Sequence, residues 1–264
     1  MVDPPLSSKR FVFFTNKGSY MGKLGRLTPI GFLILGALVL ASASWAQTRS
    51  PVAEQIAKTY GIDSFGQVEA IRYTFNLTGP RSVSRSWVWE PKTDKISYEG
   101  KDKDGKPVKV TFVQSELTGE SEVVKDKIDW LFVNDNYWLI LPFHVYWDSP
   151  GADAQDTGEQ KLPLRKGSAK LVTVKYPKGG YTPGDTWDLY LGSDNRIKEM
   201  VYHRGNPKSP VPGVVIVSWA GYKKAGPLLF STEHRGTADG KPLHLFFSNV
   251  SVKLVGSDTW IDAQ

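Results

Sequence analysis

Residues 83–90 read VSRSWVWE and alternate strictly between two kinds of side chain. Val83, Arg85, Trp87 and Trp89 fall on one side of an extended chain, and the residues between them fall on the other. Successive side chains of a β-strand point to opposite faces, so this alternation predicts a strand with one large, mainly aromatic face.

Strand patterns of this kind fill most of the chain on both sides of that segment. Asp104-Gly105, Gly179-Gly180 and Asp239-Gly240 are turn signals between them. The later predicted strands are residues 169–176, 186–191, 197–203, 214–222, 228–233 and 243–254. Short strands joined by turns predict a mainly β (α+β) fold, a single curved antiparallel sheet that forms a half-open β-barrel.

Two segments have helical spacing instead. Ser50 is a candidate N-cap, Pro51 suits the first helical position, and Gly61 ends this first segment. The second segment is residues 120–141, which we expect to be interrupted near residues 134–136 and stopped by Pro142. We expect both helices to pack on the concave face of the sheet, and a polar loop to follow at residues 149–158.

The N-terminal region has the pattern of a secretory signal peptide. Lys23 and Arg26 precede the apolar run 30–43, and small residues precede a cleavage site after Ala46. We therefore predict export to the periplasm; the alternative is an uncleaved membrane anchor. Because residues 21–26 already form a basic start, Met21 is an alternative first residue to Met1.

The net charge of the whole chain is +6, with a pI near 9.2. Removal of residues 1–46 takes away five basic residues and one acidic residue, which leaves 28 basic against 26 acidic and a net charge of +2. No dense basic cluster remains, so nucleic acid is excluded as a predicted partner. Residues 47–264 contain no linker or repeat and are predicted to form one domain.

Catalytic and metal-binding motifs are missing from the sequence. The chain has no cysteine, and its four histidines have no ligand-like spacing. We therefore predict no catalytic residues, no cofactor and no metal site, and a protein that is not an enzyme. Asp148, Asp153, Asp156 and Glu159 share one polar segment, where we favour a solvated loop over a calcium site.

Aromatic residues are concentrated in two segments of the predicted mature chain. Five of its eight tryptophans lie in residues 83–90 and 129–148. Such side chains suit the lining of a ligand cavity, although a curved sheet also needs aromatic residues for its core. The candidate ligand-binding residues are Arg85, Trp87, Trp89, Trp130, Tyr137, Trp138, Phe143 and Trp147.

The order of elements resembles the Lol-type lipoprotein carriers. The similarity rests on the order of a signal peptide, a helix and many strands with a helical insertion. It rests also on the local sequence pattern of residues 87–98 and 185–200. It covers most of residues 50–255. It implies a half-open barrel capped by helices, whose apolar interior holds acyl chains. It also implies that Arg85 corresponds to the strand arginine that closes the lid. The polar insertion at 149–166 and the tryptophan-rich centre depart from the family pattern.

These observations predict a periplasmic binding or carrier protein with an apolar cavity for a lipid, a lipoprotein acyl chain or another amphiphile. We expect such a protein to come close to a membrane transiently. One alternative is a non-catalytic envelope module that docks another protein through a sheet edge or the aromatic patch. The other is a hydrolase without a recognisable motif.

Overall fold

The computed structural model describes residues 49–78, 82–177, 183–208 and 212–264. The predicted signal peptide, its cleavage after Ala46 and the choice between Met1 and Met21 lie outside these residues, as does the turn at Gly179-Gly180. Among the helices of the described ranges, none is long and apolar enough to cross a membrane.

The described chain contains two α-helices and thirteen strands. The helices are α1 (Pro51–Tyr60) and α2 (Asp129–Asp148), with 3-10 segments at Ile62–Gln67 and Gln114–Gly119 and a π-helical turn at Val124–Ile128. The first seven strands are β1 (Val68–Thr78), β2 (Val83–Glu90), β3 (Lys95–Lys101), β4 (Pro107–Val113), β5 (Asp153–Lys161), β6 (Ser168–Lys175) and β7 (Thr186–Leu191). The others are β8 (Ile197–His203), β9 (Val214–Ser218), β10 (Ala220–Ala225), β11 (Leu228–Ala238), β12 (Lys241–Leu254) and β13 (Trp260–Asp262).

All thirteen strands belong to one antiparallel sheet. Its main path runs β4-β3-β2-β1-β12-β11-β9-β8-β7-β6-β5, with β10 paired to β11 and β13 paired to β12. Within the described part of the chain, β4 and β5 each have one partner strand, so the sheet is open and not closed into a barrel. The predicted fold class, a single open antiparallel sheet with a few helices, is confirmed.

The sheet curves around α2. Phe132 of α2 packs on Trp87 of β2 at 5.5 Å between ring centroids, and Trp138 packs on Trp187 of β7 at 5.7 Å. β2 and β7 are six steps apart along the sheet, about 29 Å if the sheet were flat, whereas Phe132 and Trp138 are six residues apart in α2, about 9 Å along its axis. One helix can contact both strands only if the sheet bends around it, so α2 lies on the concave face.

The central helix differs from its prediction. It is not interrupted at residues 134–136, and it continues past Pro142 to Asp148. The irregular residue is Ile140, with φ −121° and ψ 26°. This kink places Pro142 in the first turn of the second helical part, where its missing N–H is not needed and its ring is tolerated.

The N-terminal helix begins at Pro51 and ends at Gly61 as predicted. Gly61 has φ 99°, and its N–H bonds back to the last turn of α1. Ser50 occupies the N-cap position as predicted, but its hydroxyl donates to the carbonyl of Ala154 and makes no capping hydrogen bond to α1. Ser50 therefore ties the start of α1 to β5.

Two strand predictions need correction. Residues 149–152 of the predicted polar loop form a turn, but residues 153–158 belong to β5, an edge strand exposed on both faces, which therefore lacks apolar alternation. The predicted strand 214–222 is divided at Trp219 into β9 and β10. β9 pairs with β8 and β11, whereas β10 pairs with β11 alone.

Candidate ligand-binding face

A buried ion pair joins β2 to α2. Arg85 Nε donates to Asp135 Oδ2 at 2.7 Å, and Arg85 Nη2 donates to Asp135 Oδ1 at 2.5 Å. Trp87 Nε1 also donates to Asp135 Oδ2, at 2.9 Å, and Asn134 Nδ2 donates to Oδ1 at 3.1 Å. The guanidinium lies 4.6 Å from the centroid of the Phe75 ring. Both carboxylate oxygens of Asp135 are therefore fully used.

Burial and charge act in opposite directions on Asp135. The side chain is completely buried, and desolvation raises its pKa above the ordinary value, while the hydrogen bonds and charge of Arg85 hold it down. The Arg85 side chain is 13% exposed. Since the pair is bidentate, we treat it as one neutral unit, and the positive charge of Arg85 is not free to meet a ligand while α2 is in this position.

Three of the predicted site residues form an aromatic cluster with Phe65. The Phe65 ring lies 6.1 Å from that of Trp89, 5.3 Å from that of Phe143 and 4.8 Å from that of Trp147. All four side chains are buried. Trp89 comes from β2, while Phe143 and Trp147 come from the second half of α2, so this cluster fastens that half of the helix to the sheet.

Tyr137 and Trp138 contact the other side of the curved sheet. The Trp138 ring lies 5.7 Å from that of Trp187, 6.2 Å from that of Trp219 and 6.0 Å from that of His234. Tyr137 is 6.3 Å from Trp187. One turn of α2 thus meets β7, β11 and the residue between β9 and β10.

A second polar group lies at the C-terminal end of α2. Tyr137 and Tyr176 donate to Asp148 Oδ2 at 2.7 and 3.2 Å, and His144 Nδ1 lies 3.8 Å from the same oxygen. The His144 ring stacks on Tyr137 at 3.8 Å, and its Nε2 is 2.8 Å from Asn136 Oδ1. This group ties α2 to the end of β6.

Desolvation has the largest effect on the pKa values of Asp148 and His144. It raises the pKa of Asp148 to about 6 and lowers the pKa of His144 to about 3. The hydrogen bonds from Tyr137 and Tyr176 oppose the rise for Asp148. His144 is therefore neutral near pH 7.

The eight predicted residues do not form one pocket. Arg85 and Trp87 surround Asp135, three others form the cluster with Phe65, and Tyr137 and Trp138 face β7 and β11. Trp130 is half-buried and belongs to none of the ring pairs among the described residues. What unites the others is α2, because they all lie on it or pack beneath it.

Sequence reasoning missed four residues of this face. They are Asp135, Trp187, Trp219 and His234. Asp135 carries a signal that could have identified it, since an acidic residue in an apolar helical run requires a buried partner. The other three lie in ordinary strand patterns, and nothing in the sequence distinguishes them from core residues.

The acidic segment offers no metal site in the described residues. Within them, no group of three or more His, Asp or Glu side chains is arranged to hold an ion. Asp153, Asp156 and Glu159 lie exposed on β5, where Asp156 pairs with Lys170 at 3.0 Å.

The sequence matches no family model and no curated protein. Two solved structures are distantly similar. A DUF1329 family protein from Desulfovibrio piger ATCC 29098 has a TM-score of 0.41 at 11% identity, covering 78% of this chain and 93% of that chain. The Mycobacterium tuberculosis lipoprotein LppX has a TM-score of 0.28 at 10% identity, covering 75% of this chain and 94% of that chain. Both TM-scores are below 0.5.

Proposed function

We propose that the protein is an exported binding or carrier protein for a lipid, an acyl chain or another amphiphile, working in the periplasm. The observation that carries the proposal is the position of α2. None of its 20 residues is exposed, and it covers an aromatic, concave sheet face from β2 to β7. An apolar chain in place of α2 would bury against the same side chains, at about 0.8 kcal/mol per CH₂.

The attachment of α2 supports its role as a removable cover. Its first half is held by the Arg85–Asp135 ion pair and its end by the hydrogen bond from Tyr176 to Asp148, beside the aromatic contacts described above. A buried ion pair contributes little net stability compared with apolar packing, because desolvation offsets the attraction. A helix held partly by such contacts is released more easily than one held by apolar contacts alone.

The test is a titration of the mature chain, residues 47–264, with 11-(dansylamino)undecanoic acid. Energy transfer from the buried tryptophans to the dansyl group reports binding close to α2. We expect a saturable signal at one probe per chain, and loss of the signal when unlabelled oleate is added. A correctly folded protein that gives no saturable signal would contradict the proposal.

A second candidate function is a non-catalytic module that docks another envelope protein through a sheet edge. The observation in its favour is β5, an edge strand with a single partner and almost wholly exposed side chains. Its charged residues are also the usual protection of an edge against pairing. Crosslinking from positions on β5 to one envelope protein, together with failure of the lipid titration, would favour this function.

A further inference from the structure

Five side chains of the sheet beneath α2 carry buried polar atoms without a hydrogen-bond partner; Tyr73 and Trp89 lie on β1 and β2, and the other three lie together on the β7–β11 side. The atoms of these three are Trp187 Nε1, Trp219 Nε1 and both ring nitrogens of His234. The three residues are 3%, 2% and 0% exposed. The backbones of Ser218 and Ser231 lie near the imidazole, but neither is placed for a well-formed hydrogen bond. Since folded proteins pair the great majority of buried polar groups, four such atoms in one region need a physical reason.

These three side chains form one patch, which we call the indole–imidazole patch. Trp219 and His234 are in contact, with ring centroids 4.1 Å apart, and all three rings surround Trp138 at 5.7 to 6.2 Å. Trp138 belongs to α2, whereas the patch belongs to the sheet. Movement of α2 therefore uncovers the patch and leaves it intact.

The patch is uncharged. Burial lowers the pKa of His234 to about 3, so its imidazole is neutral near pH 7 and offers one donor and one acceptor. The two indoles are donors only. The charge of Arg85, on β2, is already matched by Asp135. A phosphate or carboxylate placed here would lose its hydration without meeting a cation, whereas a neutral acceptor has a smaller desolvation cost, which hydrogen bonds from the patch can offset.

We infer that the indole–imidazole patch binds the uncharged, hydrogen-bond-accepting head of the ligand, of the chemistry of an acylglycerol ester. This inference rests on the proposed function, because it assigns the head-group end of the same concave face. The patch should therefore bind neutral acylglycerols more tightly than anionic lipids with the same acyl chain.

The experiment compares three competitors for the dansyl probe on the mature chain, all with one oleoyl chain. They are 1-monoolein, oleate and oleoyl-lysophosphatidylglycerol, used below their critical micelle concentrations. We expect monoolein to displace the probe at a concentration at least about tenfold below that of either anionic competitor.

Variants then test whether the patch causes the preference. Trp187→Phe and Trp219→Phe each remove one indole N–H, and each should weaken monoolein about 3- to 10-fold while changing the anionic competitors less. Trp89→Phe is the comparison variant: its Nε1 is also buried without a partner, but its ring packs on Phe65 and Phe132 at the acyl-chain end of the face, so this variant should weaken all three competitors alike and leave the monoolein preference unchanged. If a phenylalanine variant fails to fold, 3-benzothienylalanine at the same position keeps the ring shape and removes the N–H.

The outcomes separate the two proposals. Probe binding with equal displacement by all three competitors, or with the same loss of monoolein preference in Trp89→Phe as in the patch variants, would overturn the head-group inference alone. Absence of probe binding in the folded protein would overturn the proposed function. A monoolein preference that both patch variants reduce would support the inference.

Discussion

Arg85 on β2 and Asp135 on α2 form a bidentate ion pair, with nitrogen–oxygen distances of 2.7 and 2.5 Å, that ties the central helix to the sheet. The carboxylate is completely buried and the arginine side chain is 13% exposed. Because burial removes both groups from water, the pair as a whole adds little to stability, but either group left alone is costly. The ion pair can therefore fix the position of α2 on the sheet without preventing the release of the helix.

Removal of one charge should therefore be more damaging than removal of both. We expect Asp135→Asn to lower the free energy of unfolding by about 3 kcal/mol, because Arg85 is left without its counter-charge. We expect the double variant Arg85→Met/Asp135→Leu to recover at least half of this loss. Urea unfolding followed by tryptophan fluorescence measures both values.

A surface pair provides the control for this cycle. Lys109 and Glu99 form an ion pair between β4 and β3 whose side chains are both exposed. Glu99→Gln should change the free energy of unfolding by less than about 0.5 kcal/mol. If the double variant Arg85→Met/Asp135→Leu is as unstable as Asp135→Asn, this account is contradicted. The ion pair would then contribute more to stability than the mutual neutralisation of its two charges.

The carboxyl of Asp148 should make stability decrease with rising pH. Its pKa is raised from 3.8 to about 6, so the folded state binds the proton more tightly than the unfolded state. This contribution is complete below about pH 4 and is lost as the pH rises through about 6. Relative to wild type, Asp148→Asn should therefore gain about 3 kcal/mol between pH 4 and pH 7. Asp153→Asn, on exposed β5, is the control and should show no such gain.

His144 should act in the opposite direction. Its pKa is lowered from 6.5 to about 3, so the unfolded state binds the proton more tightly, and the contribution is complete above pH 6.5 and lost as the pH falls below it. His144→Gln should therefore gain stability relative to wild type as the pH falls from 7 to 4. Urea midpoints at four pH values test both variants; a pH-independent difference for either one would contradict its assigned pKa.

Gly236 permits a close approach of β11 to β9. A Cβ at this position would overlap the backbone carbonyl oxygen of Ile216, which cannot move without breaking the strand pairing. We expect Gly236→Ala to lower the free energy of unfolding by about 2 kcal/mol or more. Gly119→Ala is the matched control, since a Cβ there has no heavy atom within 4 Å. Equal thermal midpoints for the two variants would contradict this account.

The sheet could be predicted because its strands follow the period of two. Residues 186–191 and 197–203 were predicted with the bounds that the structure gives to β7 and β8. β5 could not be predicted, because an edge strand exposed on both faces has no alternation. The split of residues 214–222 at Trp219 was missed because it depends on which strand each half pairs with.

The candidate site was only partly predictable, because its residues are brought together by pairing and curvature that local sequence patterns do not show. The aromatic segments at 83–90 and 129–148 identified the two elements that meet, and Arg85 was selected by its place among large apolar side chains. Its partner Asp135 was placed in an interruption of the helix, since its polar neighbours weaken the helical pattern. Trp187, Trp219 and His234 join the site only through the curvature of the sheet, which local sequence does not encode.

Amide hydrogen exchange of residues 47–264, with and without a bound acyl ligand, tests the displacement of α2 most directly. With oleate or monoolein at saturation, we predict that the amides of residues 129–148 exchange faster, because the ligand takes the place of α2 on the sheet. The amides of β12 should stay equally protected and serve as the internal reference. Ligand binding with unchanged or increased protection of residues 129–148 would contradict the claim that α2 covers the binding face and moves away from it.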